Sequence, residues 1–154
     1  MRTEGNKIFY SWEDIQHACE RIAEDLGDWR PDFIMPITRG GLIPGVMLSH
    51  IMGIKQVSPI TIQTRDGSEG HVDPFWEIAC ATLRDTKVLV VDDIVDTGKT
   101  IELMLNYNPS DNIRFSAVTL NLDCDVADKV NFLTGYHIDK GSQPDLWIVY
   151  PWEN

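Results

Sequence analysis

Three aspartates, a glycine and two threonines follow a run of apolar residues near the middle of the chain. The run covers residues 88–91, and the residues behind it are Asp92, Asp93, Ile94, Val95, Asp96, Thr97, Gly98, Lys99 and Thr100. Carboxylates bind sugar hydroxyls and magnesium ions, whereas a turn of small residues directs backbone N–H groups toward an anion such as phosphate. These residue types in this order therefore predict a site for a phosphorylated ribose.

The elements that must position this site are a strand, a tight turn and a helix. Residues 88–91 are apolar without alternation, which is typical of a strand buried on both faces of a parallel sheet. The ending Gly98-Lys99-Thr100 also occurs in the phosphate loop of nucleotide triphosphatases, but that motif requires a glycine where this chain has Asp93. One alternative stays open, which is an ordinary strand, turn and helix whose acids cap the helix.

Residues 90–100 resemble the phosphoribosyl-pyrophosphate loop of type I phosphoribosyltransferases over eleven consecutive positions. The resemblance implies that Asp92 and Asp93 address the ribose hydroxyls, directly or through Mg²⁺, with Asp93 as the metal ligand. It also implies that Asp96 is the catalytic residue, a general base or hydrogen-bond acceptor at the five-membered ring of a purine. The 5-phosphate of the donor would be held by Thr97, Gly98, Lys99 and Thr100, and Ile94 and Val95 complete the donor-binding loop.

A second glycine-bearing turn follows an earlier predicted strand. Residues 33–37 predict the strand, and Thr38-Arg39-Gly40-Gly41 lies between it and a predicted helix. By itself this turn is explained by a strand–helix connection that needs glycine for a positive φ. It resembles the pyrophosphate loop of the same family, which implies that Arg39 and Gly40 face the leaving pyrophosphate and that the peptide bond between Thr38 and Arg39 is cis.

The end of the chain carries an aromatic segment, Trp147-Ile148-Val149-Tyr150-Pro151-Trp152-Glu153. It resembles the base-binding segment of the xanthine-guanine phosphoribosyltransferases. The resemblance implies that Trp147 stacks on the purine and that Ile148 accepts a hydrogen bond from the base through its backbone carbonyl. The alternative is that the tryptophans are anchors of the core or of an interface.

One expected residue is absent. The xanthine-guanine and hypoxanthine enzymes carry a lysine just beyond the strand predicted here at residues 113–122, where it donates to the purine 6-oxo group. This chain has Asn121-Leu122-Asp123-Cys124-Asp125, and the next lysine is Lys129. Asn121 could donate in its place, or Lys129 could fold back, whereas an acid at this position would favour a 6-amino purine.

Two further segments are predicted from local patterns. Ser11 and Asp14 form the pattern of a capping box at the start of an amphipathic helix that Gly27 ends. Residues 64–74 are polar and contain glycine, which suits either a flap that closes over the substrates or a plain surface connection. Arg65 is the only Lys or Arg in that segment and is a candidate phosphate contact.

Length and composition favour a single domain covering residues 1–154, because a chain of this size can bury a core. The net charge of −11, without a basic run, argues against a broad nucleic-acid or membrane surface. No apolar run has the length of a membrane span, so we expect a cytoplasmic protein. The three cysteines lack paired spacing, which predicts free thiols instead of disulfides or a zinc site.

The family resemblance implies the type I phosphoribosyltransferase fold, an α/β architecture whose twisted, mainly parallel sheet is flanked by helices and carries a small hood built from the terminal segments. It implies transfer of phosphoribosyl from 5-phosphoribosyl 1-pyrophosphate (PRPP) to a purine base of the xanthine, guanine or hypoxanthine type in purine salvage, by a homodimer or homotetramer that uses Mg²⁺. Three alternatives stay open: a regulator that senses PRPP without transferring it, a transferase for a 6-amino purine or another base, and a structural or interaction protein.

Overall fold

A computed structural model describes residues 1–63 and 70–153. Its strands are β1 (Arg2–Glu4), β2 (Lys7–Phe9), β3 (Phe33–Thr38), β4 (Ile60–Gln63), β5 (His71–Val72), β6 (Val88–Val95), β7 (Ile113–Asn121), β8 (Phe132–Ile138) and β9 (Trp147–Val149). Its helices are α1 (Trp12–Asp25), α2 (Leu42–Met52), α3 (Pro74–Thr82) and α4 (Lys99–Leu105).

The main sheet has the strand order β5-β4-β3-β6-β7-β8. Every neighbouring pair is parallel except β4 and the edge strand β5, which are antiparallel. The central position of β6 explains its unbroken apolar run, because residues 88–91 are buried on both faces of the sheet. Since parallel strands end at the same edge, the segments that follow β3, β6, β7 and β8 lie together. The predicted mainly parallel α/β fold is confirmed.

Helices cover both faces of this sheet, and two apolar clusters form the core. Helix α1 begins with the predicted capping box, in which the Asp14 amide donates to the Ser11 hydroxyl and the Ser11 amide donates to the Asp14 carboxylate. The helix buries Ile15, Ala18, Cys19 and Ile22 against the cluster that includes Leu89 and Val91. On the opposite face, Trp76 of α3 is fully buried and its indole N–H donates to the carbonyl of Met104 at 3.0 Å.

The two ends of the chain build a small second sheet, the predicted hood. Its order is β1-β2-β9, and β2 lies parallel to β9 with Ile8 opposite Ile148. Two buried tyrosines, Tyr10 and Tyr150, follow these strands, and their ring centroids are 5.6 Å apart. The Tyr150 hydroxyl donates to the carbonyl of Asp93 at 2.9 Å, so the hood is bonded directly to the end of β6.

The predicted loop at residues 64–74 is only partly described. Residues 64–69, with Arg65, lie outside the described residues. His71 and Val72 form β5, and Asp73 caps the start of α3, so this part of the prediction is wrong. The short strand forms because His71 and Val72 pair with Gln63 and Ile62 of β4.

Cys19, Cys80 and Cys124 are free, as predicted, and all three are buried. Burial raises the pKa of Cys19 to about 12 and that of Cys80 to about 11, so both thiols are protonated near neutral pH. Among the helices of the described residues, none is long and apolar enough to cross a membrane.

Candidate active site

The aspartates that the sequence places behind the apolar run still belong to the strand. Asp92, Asp93, Ile94 and Val95 are part of β6, because their backbone continues to pair with β7. Ile94 lies opposite Thr119, and Val95 lies opposite Leu120. The rigid sheet therefore positions both carboxylates, and the turn is confined to residues 96–98.

The two predicted phosphate loops meet at the carboxyl ends of β3 and β6. A Cβ atom on Gly40 would overlap the carboxylate of Asp93, and a Cβ atom on Gly41 would overlap the carbonyl oxygen of Val91. Neither glycine is among the residues with positive φ. The glycines therefore allow close approach of the two loops, and the interpretation that a positive φ requires them is wrong. The peptide bond between Thr38 and Arg39 is cis, as the resemblance implied.

Asp92 and Asp93 lie side by side and half-buried. The Asp92 carboxylate accepts from the Asp93 amide at 3.0 Å, and the Asp93 carboxylate accepts from the Ile94 amide at 2.8 Å. Burial and then the negative charge of Asp93 raise the pKa of Asp92 well above its ordinary value. The pKa of Asp93 is also raised, chiefly by burial, with a contribution from the charge of Glu153. A cation or sugar hydroxyls at this position would relieve that repulsion.

The turn behind β6 forms a small cavity. Gly98 has a φ of 82°, and a Cβ atom there would lie 2.7 Å from Cγ2 of the buried Val126. Only glycine fits both the backbone conformation and the space. The cavity has a volume of about 220 Å³, and its lining is Asp92, Ile94, Val95, Asp96, Thr97, Gly98, Lys99, Thr100 and Ile101. It contains every residue that the resemblance assigns to the 5-phosphate.

A second cavity, of about 710 Å³, lies where the second glycine loop faces the end of β6. Arg39, Gly40 and Asp93 line it together with Trp152 and Glu153 from the end of the chain. Arg39 is exposed, so its guanidinium is accessible to an anion. The ring of Trp152 is stacked on the ring of Tyr150 with a centroid distance of 4.8 Å. This stacking holds Trp152 in position as one wall of the cavity.

A third cavity, of about 460 Å³, lies on the other side of the turn. It is lined by Asp96, Thr97, Asn121, Asp123, Cys124, Asp125, Lys140, Gly141 and Pro144. The ammonium of Lys140 is 2.9 Å from the Asp96 carboxylate. Lys129, which the sequence offered as a substitute cation, instead pairs with Glu102 at 3.6 Å on the surface.

Sequence reasoning missed Lys140. Lys140 follows β8, and β8 ends beside β7 with Ile138 opposite Asn121. A lysine thus lies at the same edge of the sheet as the lysine expected beyond β7, but it follows the neighbouring strand. Strand β8 was not predicted from the sequence, and even with that strand known, bringing Lys140 to this edge of the sheet requires the strand order.

The predicted base-stacking segment lies in β9. Trp147 is 60% exposed, and its amide donates to the carbonyl of Asn6 at 2.8 Å. Ile148 is buried in the hood. Neither residue is among those that line the cavity beside Asp96, and their contact with a base stays a prediction.

This geometry agrees with comparison to known proteins. The family model for the phosphoribosyl transferase domain matches residues 7–141. The chain belongs to the phosphoribosyltransferase family. Enzymes of this family generally use Mg²⁺ together with PRPP.

Two curated relatives and one solved structure illustrate the similarity. The xanthine-guanine phosphoribosyltransferase of Roseobacter denitrificans is 29% identical over 158 residues, which cover 93% of this chain and 83% of the relative. The xanthine-guanine phosphoribosyltransferase of Vibrio atlanticus is 28% identical and covers 96% of this chain and 90% of the relative. The crystal structure of a purine phosphoribosyltransferase from Pyrococcus horikoshii Ot3 is similar with a TM-score of 0.75 and 27% identity, over 97% of this chain and 95% of that chain.

The donor set for a metal ion is small. Within residues 1–63 and 70–153, no group of three or more His, Cys, Asp or Glu side chains is arranged to hold a metal ion. Mg²⁺ prefers an octahedral shell in which one or two carboxylates are completed by water and by substrate oxygens. The adjacent carboxylates of Asp92 and Asp93, whose pKa values are raised by burial, fit such a shared site.

Proposed function

We propose that the chain is a purine phosphoribosyltransferase, a pentosyltransferase of purine salvage. It transfers the phosphoribosyl group of PRPP to a ring nitrogen of a base of the xanthine, guanine or hypoxanthine type, and it releases pyrophosphate and a nucleoside monophosphate. One observation carries this assignment. The cavity of the phosphate loop and the cavity beside it share Asp96 and Thr97, so a ribose 5-phosphate in the first presents its C1 carbon toward a base in the second.

The donor is bound by three parts of the chain. Its 5-phosphate occupies the cavity of about 220 Å³, where the backbone N–H groups and hydroxyls of residues 97–100 surround an anion. Its ribose hydroxyls face Asp92 and Asp93. Its pyrophosphate lies toward Arg39 and Gly40, in the cavity that Asp93 also lines. Asp93 would hold Mg²⁺, and the bound ion would supply positive charge that offsets the charge of the leaving pyrophosphate.

The carboxylates and Asp96 have different roles in the transfer. Positive charge develops on the ribose ring as the bond to pyrophosphate breaks, and fixed negative charge from Asp92 and Asp93 stabilises it. Asp96 accepts the proton of the ring nitrogen at the five-membered ring of the base. These roles are consistent with the positions of the three side chains, because two lie in the rigid strand and the third lies in the turn between the two cavities.

The test is an assay of pyrophosphate release with PRPP, Mg²⁺ and a panel of guanine, xanthine, hypoxanthine, adenine and pyrimidines. We expect release with an oxopurine and formation of the matching nucleoside monophosphate. Donor binding without release from any base would instead favour the regulator that senses PRPP. Absence of both donor binding and release would leave the interaction protein as the better interpretation.

We also propose a cytoplasmic homo-oligomer, a dimer or a tetramer. The support for an oligomer is an apolar surface on α2, where Val46 is 46% exposed and Ile51 is 43% exposed. Light scattering at several protein concentrations measures the molar mass, and a mass of one chain at all concentrations would contradict this proposal.

A further inference from the structure

The cavity beside Asp96 contains an ion pair that the family pattern does not explain. The Lys140 ammonium is 2.9 Å from the Asp96 carboxylate, and the lysine side chain is 17% exposed whereas that of Asp96 is 41% exposed. The aliphatic part of Lys140 is therefore largely covered, and its charge points at the residue that is proposed to accept a proton from the base.

The backbone on both sides of this pair is fixed by one buried side chain. The Asn121 amide donates to the carbonyl of Asp96 at 3.0 Å, and its oxygen accepts from the backbone N–H of Lys140 at 3.4 Å. Asp123 adds a bond from the backbone N–H of Gly141 at 2.7 Å. Asn121 thus connects the end of β7, the turn behind β6 and the segment behind β8. Among the described residues that line the cavity, Lys140 is the one Lys or Arg.

A base that enters this cavity must break the ion pair and give each of the two side chains a new partner. Asp96 has to exchange the ammonium for the N–H of the base, and Lys140 then needs another acceptor because an ammonium only donates hydrogen bonds. In an oxopurine, the 6-oxo oxygen lies on the same edge of the base as N7. In adenine that position carries an amino group, which donates and would leave the lysine without a partner.

We infer that Lys140 determines the base specificity by exchanging Asp96 for the 6-oxo oxygen of the incoming purine. The inference rests on the proposed function and deepens it, because it selects oxopurines over 6-aminopurines. Lys140, on the segment behind β8, then takes the base-binding role of the lysine that is missing behind β7. In the absence of base, the same side chain pairs with Asp96.

The experiment compares Lys140→Met, Lys140→Arg and the control Lys129→Met, which removes a lysine that pairs with Glu102 on the surface. Steady-state rates are measured with hypoxanthine and adenine at saturating PRPP and Mg²⁺. We expect Lys140→Met to raise the KM for hypoxanthine about 10- to 100-fold, because a hydrogen bond to a charged group is lost. The preference for hypoxanthine over adenine in kcat/KM falls by a similar factor. Lys140→Arg restores part of that preference, and Lys129→Met changes neither value.

Calorimetry with inosine monophosphate and adenosine monophosphate makes the same comparison without turnover, and PRPP binding to each variant shows that the fold and the donor site are intact. A Lys140→Met variant that binds PRPP normally and keeps the full preference for the oxopurine would overturn the inference, as would a wild-type protein that prefers the adenine compounds. The proposed function fails separately, through absence of pyrophosphate release from every base in the wild-type protein.

Discussion

Replacing Gly98 with alanine tests the geometry of the phosphate loop. Gly98 has a φ of 82°, and a left-handed backbone costs an L-residue about 1–2 kcal/mol. The added Cβ would also lie 2.7 Å from Cγ2 of Val126, which is fully buried, and such overpacking adds about 1–3 kcal/mol. We therefore expect Gly98→Ala to lower the free energy of unfolding by about 2–5 kcal/mol.

Two matched variants separate these contributions. Gly27 has a φ of 55° with nothing within 4 Å of an added Cβ, so Gly27→Ala measures the backbone cost alone, about 1–2 kcal/mol. Val126→Ala removes both methyl groups that the new Cβ would meet. In the double variant Gly98→Ala/Val126→Ala, the steric cost disappears, so the two changes should be less destabilising together than their sum by about 1–3 kcal/mol.

Urea unfolding of the four proteins and the wild type gives these free energies, and calorimetric titration with PRPP gives the donor affinity of each. We expect Gly98→Ala to weaken PRPP binding at least about tenfold and Gly27→Ala to leave it unchanged. Additive effects of Gly98→Ala and Val126→Ala, or a Gly98→Ala protein as stable as Gly27→Ala, would refute the packing argument for this loop.

Three further predictions concern individual side chains. Asp96→Asn should lower kcat about 100-fold or more while PRPP affinity changes little, whereas Thr97→Val should chiefly weaken PRPP binding. Steady-state kinetics and calorimetry measure these effects, and equal, mild effects of both variants on turnover would contradict the two roles. Tyr150→Phe should lower the free energy of unfolding by about 1–3 kcal/mol, because it leaves a backbone carbonyl of β6 without its 2.9 Å donor; urea unfolding equal to that of the wild type would contradict this. Burial raises the pKa of Cys19 to about 12 and that of Cys80 to about 11, so native protein at pH 8 should not be alkylated at either thiol; rapid native alkylation, detected by mass spectrometry, would contradict the burial. Because thiols of the unfolded chain ionise from about pH 8.5, the free energy of unfolding should fall as the pH rises from there through the pKa values of the folded protein.

The parts of the site that the sequence predicts are those encoded by consecutive residues. The unbroken apolar run predicts a buried central strand, which is confirmed. The order of acids, glycine and threonines behind it predicts a phosphate site, and the structure has a cavity at these residues. The capping box at Ser11 and Asp14 is equally local and is confirmed.

The parts that the sequence could not predict depend on which strands are neighbours. Lys140 reaches Asp96 only because β8 lies beside β7, and one sequence does not specify that order. Gly40 is required by the carboxylate of Asp93, which is 53 positions away in the chain. The short strand β5 was missed because two residues beside a polar loop carry too little pattern to indicate pairing with β4.

The central claim is that residues 92–100 bind a ribose that carries a terminal phosphate, with the carboxylates toward the sugar and the turn toward the phosphate. Calorimetric titration of PRPP into the wild-type protein in millimolar Mg²⁺ tests it most directly. We predict saturable binding of one PRPP per chain. Absence of saturable heat with folded protein, over the whole range of PRPP concentrations, would contradict the claim.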